Sequence, residues 1–235
     1  MQRFIIVVPV YNSIQYIKHC LYTCVTQDYE NFKVVVVDDC SDDGTWEVIK
    51  NFHVECYRNE ERIGSGLANI IKGIELSGAE DNDVIVTVDG DDRLSGNGVL
   101  KHLNSVYTND VWMTYGQYLP DSATYEGINK PVLNTQTYRY SSLWMTTHLR
   151  TFRKWLFDKI KDEDLRNAQG KYFETAWDRA FMYPLIGMAG KHCRFIEKTL
   201  YLYNDLNPFN DMKTKKDLGI EDTYYIKSKT PYKEL

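Results

Sequence analysis

VIVTVDGDD (84–92) decides the fold. Four apolar or β-branched residues and a valine run straight into three carboxylates around a glycine. A continuous β-branched run of this length suits a strand buried on both faces, which is typical of a parallel sheet. The turn that follows must then lie at the strand's C-terminal end. Two earlier segments repeat the pattern. Phe4 to Val8 is an apolar run ended by Pro9, and Lys33 to Val37 is one ended by Asp38 and Asp39. Val54 to Tyr57 is a third, shorter strand, which makes Val84 to Val88 the fourth.

The segments between these strands read as helices. Ser13 to Thr26 has Ser13 as N-cap and a stripe of Ile14, Ile17, Leu21 and Val25. Thr45 to Asn51 follows a Ser41–Gly44 turn. Gly64 to Leu76 turns Leu67, Ile70, Ile71 and Ile74 inward. Alternating strand and helix predict an α/β fold, a mostly parallel sheet with right-handed crossovers flanked by helices in a single domain. Ligands of such sheets bind beyond the strands' C-terminal ends. Tyr11-Asn12, Asp38-Asp39 and Asp89 to Asp92 all fall there.

Beyond residue 95 the pattern is less regular. Val111 to Tyr118 reads as a strand and Asp121 to Tyr140 as a long polar loop. Phe152 to Ile160 and Phe173 to Ala189 read as helices, the second interrupted by Pro184. Phe195 to Tyr203 reads as a strand. From Asn204 the chain is rich in Lys and Asp, suited to a mobile tail or one folded over the site.

The chain has 235 residues, a net charge of −5, 18 tyrosines and five cysteines. No basic patch marks a nucleic-acid partner, and no apolar run approaches the ~18 residues of a membrane span. The odd cysteine count without zinc spacing predicts reduced thiols and a cytoplasmic protein, with contact to a membrane surface left open. Tyrosines and tryptophans offer flat faces for sugar C–H surfaces.

The clustered carboxylates Asp89, Asp91 and Asp92 repel one another unless a cation lies between them, and hard oxygen ligands favour Mg2+ or Mn2+. Gly90 lets the backbone turn and approach a ligand. Either of Asp38 and Asp39 can accept from a base or ribose while the other shapes the turn. Tyr11 can flank a base, and Arg62 can pair with phosphate or with an Asp of the site.

VVPVYN (7–12), VVVVDDCSDDGT (34–45), NEERIGSGLAN (59–69) and VTVDGDD (86–92) resemble, in order and spacing, the family 2 glycosyltransferases of GT-A fold. HLRTFRKWLF (148–157) and YFETAWDRAFMYPLIGMAG (172–190) are similar to a subset of that family. The resemblance implies inverting transfer from a nucleoside-diphosphate sugar, usually a UDP-sugar, to a hydroxyl of a glycan or glycolipid acceptor, with Mn2+ or Mg2+. It places Pro9, Tyr11, Asn12 and Asp39 in the nucleoside pocket and Arg62 beside uracil or phosphates. Asp89 and Asp91 become the outer residues of a DxD motif, with Asp91 as the metal ligand. The arginine that many relatives carry before the Asn of the third motif is missing from Leu67-Ala68-Asn69. Asp178 is the expected base, with Glu174 as the alternative, because four residues apart on a helix they share a face. His192 is the candidate for an additional metal ligand, and His148-Leu149-Arg150 for a contact with acceptor or donor phosphate. On this basis 1–210 form the catalytic domain, with 1–95 binding nucleotide and 96–210 binding acceptor, and 211–235 form the tail. A nucleotidyltransferase would carry a Gly-rich basic loop where PVYNSIQY stands. A non-catalytic sugar-nucleotide-binding module would have no need of the intact carboxylates.

Overall fold

The computed structural model describes residues 1–108, 110–125 and 127–235, with the side chain of Met212 left out. The elements run β1 (Phe4–Val10), α1 (Ile17–Val25), β2 (Phe32–Asp38), α2 (Thr45–Ile49), β3 (Glu55–Arg58), α3 (Gly66–Leu76), β4 (Val84–Thr87) and β5 (Arg93–Leu94). They continue with α4 (Val99–Val106), β6 (Met113–Pro120), β7 (Arg150–Arg153), α5 (Lys154–Phe157), α6 (Trp177–Ala189), β8 (Cys193–Tyr203), α7 (Asp211–Thr214) and α8 (Lys216–Ser228).

One sheet orders these strands β3-β2-β1-β4-β7-β6-β8-β5. The first four are parallel, as their unbroken apolar runs require. Every residue of β1 is buried because the sheet is covered on both sides. Phe4, Ile6, Val8 and Val10 pack with α1 and α4 on one face, while Ile5 and Val7 pack with α3, α5 and α6 on the other. Beyond β4 the sheet becomes mixed. β7 runs antiparallel to both β4 and β6, and β8 runs parallel to β6.

Several expectations are corrected. The segment Phe152 to Ile160 is not a helix: Arg150–Arg153 is a strand and only Lys154–Phe157 coils. Pairing of Thr151 and Phe152 with Val86 and Ile85 overrides local preference. Helix α1 begins at Ile17, not Ser13. The Ser13 amide donates to Thr45 Oγ1 at 2.8 Å, which ties the turn to α2, and Ile14 lies on the surface. Helix α6 begins at Trp177, because Ala176 has φ +47° and breaks the helix expected from Phe173. The tail is folded: its final residues lie against Gly187 and Gly190, and Ile226 of α8 is buried. All five cysteines are free thiols. No helix among the described residues is long and apolar enough to cross a membrane.

Candidate active site

The acidic turn sits where β4 leaves the sheet. The Gly90 amide donates to the Pro9 carbonyl at 3.2 Å, which pins the turn to β1. A Cβ at Gly90 would lie 2.7 Å from Val10 Cβ, so only glycine fits. Of the three carboxylates, Asp92 points inward. It is 1% exposed and accepts from Tyr201 Oη and the Asn204 amide, both at 2.7 Å. Its role is to fasten the turn to β8. Asp91 accepts from Asn207 Nδ2 at 2.6 Å.

Asp89 is held by a different strand. Its Oδ2 accepts from Arg150 Nη2 at 3.1 Å, while its Oδ1 is buried without a partner among the described residues. Burial raises the Asp89 carboxyl to about 6. The neighbouring Arg150 opposes the rise, and Asp91 and Asp178 add to it. Burial raises Asp91 and Asp92 as well. His148 lies on the same side, its ring stacked on Tyr201 at 4.4 Å. Its Nδ1 is 4.0 Å from Asp89 Oδ2 and is also buried without a partner. Burial, reinforced by Arg150, holds this imidazole well below its usual range, so it is neutral and able to donate a lone pair at pH 7.

Ligand atoms of Asp89, Asp92 and His148 lie within 4.8 Å of one another. Each Asp92 oxygen already accepts one hydrogen bond, whereas Asp89 Oδ1 and His148 Nδ1 are buried with none among the described residues. A carboxylate oxygen with a neutral imidazole nitrogen fits a divalent ion such as Mn2+. His192 is elsewhere. Its ring stacks on Trp112 at 3.9 Å and its Nδ1 meets the Asp110 carbonyl. Trp112 bonds to Arg153, which is paired with Val84 at the start of β4. Five residues of extended chain, about 16 Å, separate that level from Asp89. His192 is therefore at the wrong end of the sheet for the ligand role considered from sequence, and His148 is the histidine beside the carboxylates.

Beside the β1 and β2 ends, the guanidinium of Arg62 lies 3.9 Å above the Tyr11 ring. Asn12 and Asp42 exchange hydrogen bonds at 2.8 and 3.0 Å, closing the β1 and β2 loops against each other. Asp38 caps the Ser41 turn and pairs with Arg58 at 3.3 Å. Asp39 accepts from Asn59 Nδ2 and from the amides of Ile63 and Gly64, fixing the loop that carries Arg62. Asn69 joins this network through Asn59 at 2.8 Å.

On the far side stands Asp178, in the first turn of α6. Its Oδ2 accepts from Trp144 Nε1 at 3.1 Å and lies 3.6 Å from Arg150 Nη1; its Oδ1 accepts from the Arg179 amide. Arg150 is 2% exposed, lies 5.2 Å from the Trp177 ring, and so holds Asp89 and Asp178 through one guanidinium. Glu174 does not share a helical face with Asp178, because α6 has not yet started there. Its carboxylate pairs at 2.6 Å with Lys215, which also reaches Asp211. Trp144, Tyr201, Asn204 and Asn207 carried no signal in the sequence. Arg150 carried a weak one, as part of His148-Leu149-Arg150, expected to precede a helix and to meet a phosphate.

The profile of "Glycosyl transferase family 2" matches residues 5–176. This chain belongs to glycosyl transferase family 2. Among family relatives, it is 30% identical over 118 residues to an uncharacterized glycosyltransferase of Haemophilus influenzae, covering 48% of this chain and 46% of that one. It is 25% identical over 236 residues to glycosyltransferase GlyG of Streptococcus pneumoniae, covering 91% and 74%. To the poly(ribitol-phosphate) beta-N-acetylglucosaminyltransferase TarS of Staphylococcus aureus it is 36% identical over 104 residues, covering 40% of this chain and 17% of TarS. The chain thus spans less than half of the Haemophilus and TarS proteins. The fold is that of the S. aureus TarS 1-349 crystal structure, with a TM-score of 0.65 at 20% identity, covering 94% of this chain and 65% of that one. It is shared with the mannosyltransferase PcManGT of Pyrobaculum calidifontis, solved with GDP-Man and Mn2+, at a TM-score of 0.58 and 17% identity, covering 85% and 56%. The family 2 chain is thus an α/β domain of GT-A type.

Proposed function

We propose that this chain transfers a sugar, with inversion, from a UDP-sugar to a hydroxyl of a glycan or glycolipid acceptor. The carrying observation is that Asp89 and Asp178, 89 positions apart in sequence, are joined by the buried Arg150 at one rim of the sheet. Residues 1–95 form the donor half, with Pro9, Tyr11, Asn12, Asp39, Arg62 and Gly90 shaping the nucleoside-diphosphate site. Residues 96–210 form the acceptor half, and 211–235 form a tail folded at the rim. Family relatives of this fold have been solved with UDP and with UDP-GlcNAc, which supports a uridine donor.

Asp89 and His148, with Asp92 beside them, would hold Mn2+ or Mg2+, and Asp91, the ligand expected from the DxD resemblance, would reach the ion from the same turn. When bound there, the ion supplies positive charge that offsets the charge growing on the departing diphosphate. Asp178 Oδ2 takes the proton of the acceptor hydroxyl as its oxygen bonds to the anomeric carbon. The bond from that carbon to the diphosphate breaks, and its electron pair leaves with UDP. Trp144 and Arg150 fix the rotamer of Asp178 during this step. The five free thiols fit work in the cytoplasm, on an acceptor that is free or held at a membrane surface.

The test is UDP release from a donor panel with Mn2+, with and without acceptor. Asp178→Asn should lower transfer by about 10³-fold while donor binding, read by thermal stabilisation with UDP and Mn2+, stays within about twofold. Undiminished transfer by this variant would move the base elsewhere. A wild-type protein that neither turns over nor is stabilised by any nucleoside diphosphate would end the reading.

A further inference from the structure

Beyond Asp178, where α6, α8 and the 138–141 turn meet, lie three cations that the ion pairs among the described residues leave out: Arg139, Arg179 and Lys227. They come from three separate stretches. Arg179 follows Asp178 directly. Its guanidinium lies 5.2 Å from the ring of Trp144, the residue that bonds the Asp178 carboxylate, and its Nη1 donates to Thr223 Oγ1 of α8. Lys227, on the same helix, donates to the Ser141 carbonyl at 2.6 Å. Arg139 is 7% exposed, donates to the Ile226 carbonyl, and keeps its Nε buried without a partner among the described residues. Burial, with smaller contributions from the positive charges of Arg179 and Arg139, holds the Lys227 ammonium below its usual range. Repulsion of this kind is unfavourable; Asp164 offsets it at Arg139, which leaves Arg179 and Lys227 to an anion from outside the chain. Arg179 and Lys227 are half-buried rather than sealed, and the exposed rings of Tyr140 and Tyr224 come from the same two segments.

We infer that Arg179 and Lys227, backed by Arg139, bind an anionic group carried by the acceptor beside the hydroxyl that Asp178 deprotonates. The acceptor class is then a phosphodiester-linked or carboxylate-bearing glycan rather than a neutral one. Guanidinium groups match phosphate oxygens in a bidentate way, so the phosphodiester is the favoured chemistry. The inference rests on the reading of Asp178 as the base, but its test does not need turnover.

Binding of fluorescent glycerol-phosphate, polyuronate and neutral oligosaccharide hexamers to the full chain is measured by anisotropy at about 0.05 M and about 0.3 M salt. Both anionic probes should bind at least about tenfold tighter than the neutral one, with the phosphodiester ahead, and the advantage should shrink at the higher salt. Lys227→Gln and Arg179→Gln should each reduce that advantage by about threefold or more. Lys227→Gln keeps the test open should loss of the Thr223 bond unfold the arginine variant. In transfer assays the same variants should lower the ratio of kcat/KM for anionic over neutral acceptor. Equal binding of all three probes, unchanged variants, or binding of anionic phosphatidylglycerol vesicles in place of the hexamers would overturn the inference. Anionic binding without turnover of any nucleotide sugar would keep this site and remove the glycosyltransferase reading.

Discussion

Arg150 carries a permanent charge in a place with 2% exposure, and it does so because two carboxylates accept from it or lie against it. Removing one partner of a buried ionic group costs about 3–5 kcal/mol, because the others stay buried and unpaired. Arg150→Gln should therefore lower the unfolding free energy by about 3 kcal/mol in urea titrations, and Arg150→Lys by less. A glutamine variant within about 0.5 kcal/mol of wild type would show that solvent, not Arg150, compensates these carboxylates. Asp89 gives a pH signature. Its carboxyl is raised to about 6, so between the usual carboxylate value near 4 and pH 6 the folded state binds more protons than the unfolded one. Asp89's contribution to stability is thus greatest at low pH and falls as pH rises through about 6. Against Asp89→Asn, the metal-free wild type should lose up to about 2 kcal/mol between pH 4 and pH 7, read by denaturation with chelator present. No pH-dependent difference between the two proteins would remove that assignment. At this scale the sequence marks the carboxylates, because a strand-end DGDD cluster is conspicuous. It marks Arg150 only as a candidate phosphate contact and not as the bridge between two acids, because what makes that arginine special is its burial.

The acidic turn works only because β1 and β4 approach closely. Gly90→Ala would set a Cβ against Val10 and against the Pro9 carbonyl that holds the turn. It should cost about 1–3 kcal/mol in thermal or chemical denaturation and weaken Mn2+ binding. A variant with wild-type stability and metal affinity would mean that the turn is free to shift. The elements of the parallel half were legible because local pattern and tertiary role coincide: β1, β2 and β4 are apolar runs that must be buried. The segment 150–157 was not, because its strand exists only by virtue of the exposed edges of β4 and β6. The start of α6 was likewise hidden, since the left-handed Ala176 is a local conformation that no glycine announces.

The tail closes the molecule. Thr175 donates to Asp222, Arg139 to the Ile226 carbonyl, and Lys215 to Glu174. Removing 211–235 takes away all three bonds and uncovers the apolar face that Ile226 fills. The truncated chain should melt about 5 °C or more below the full one in calorimetry. Equal melting temperatures would show that the tail lies on the domain without stabilising it. The sequence by itself determined the parallel half-sheet, its ligand edge and the carboxylates on it, because buried runs and polar strand ends are written in consecutive residues. Only the tertiary structure decided that His148 rather than His192 faces Asp89 and that Arg150 joins the two acidic sites. It alone also decided that Glu174 is drawn to Lys215 and away from α6. Each of these depends on which strand lies beside which, and that adjacency is a property of the whole packed chain.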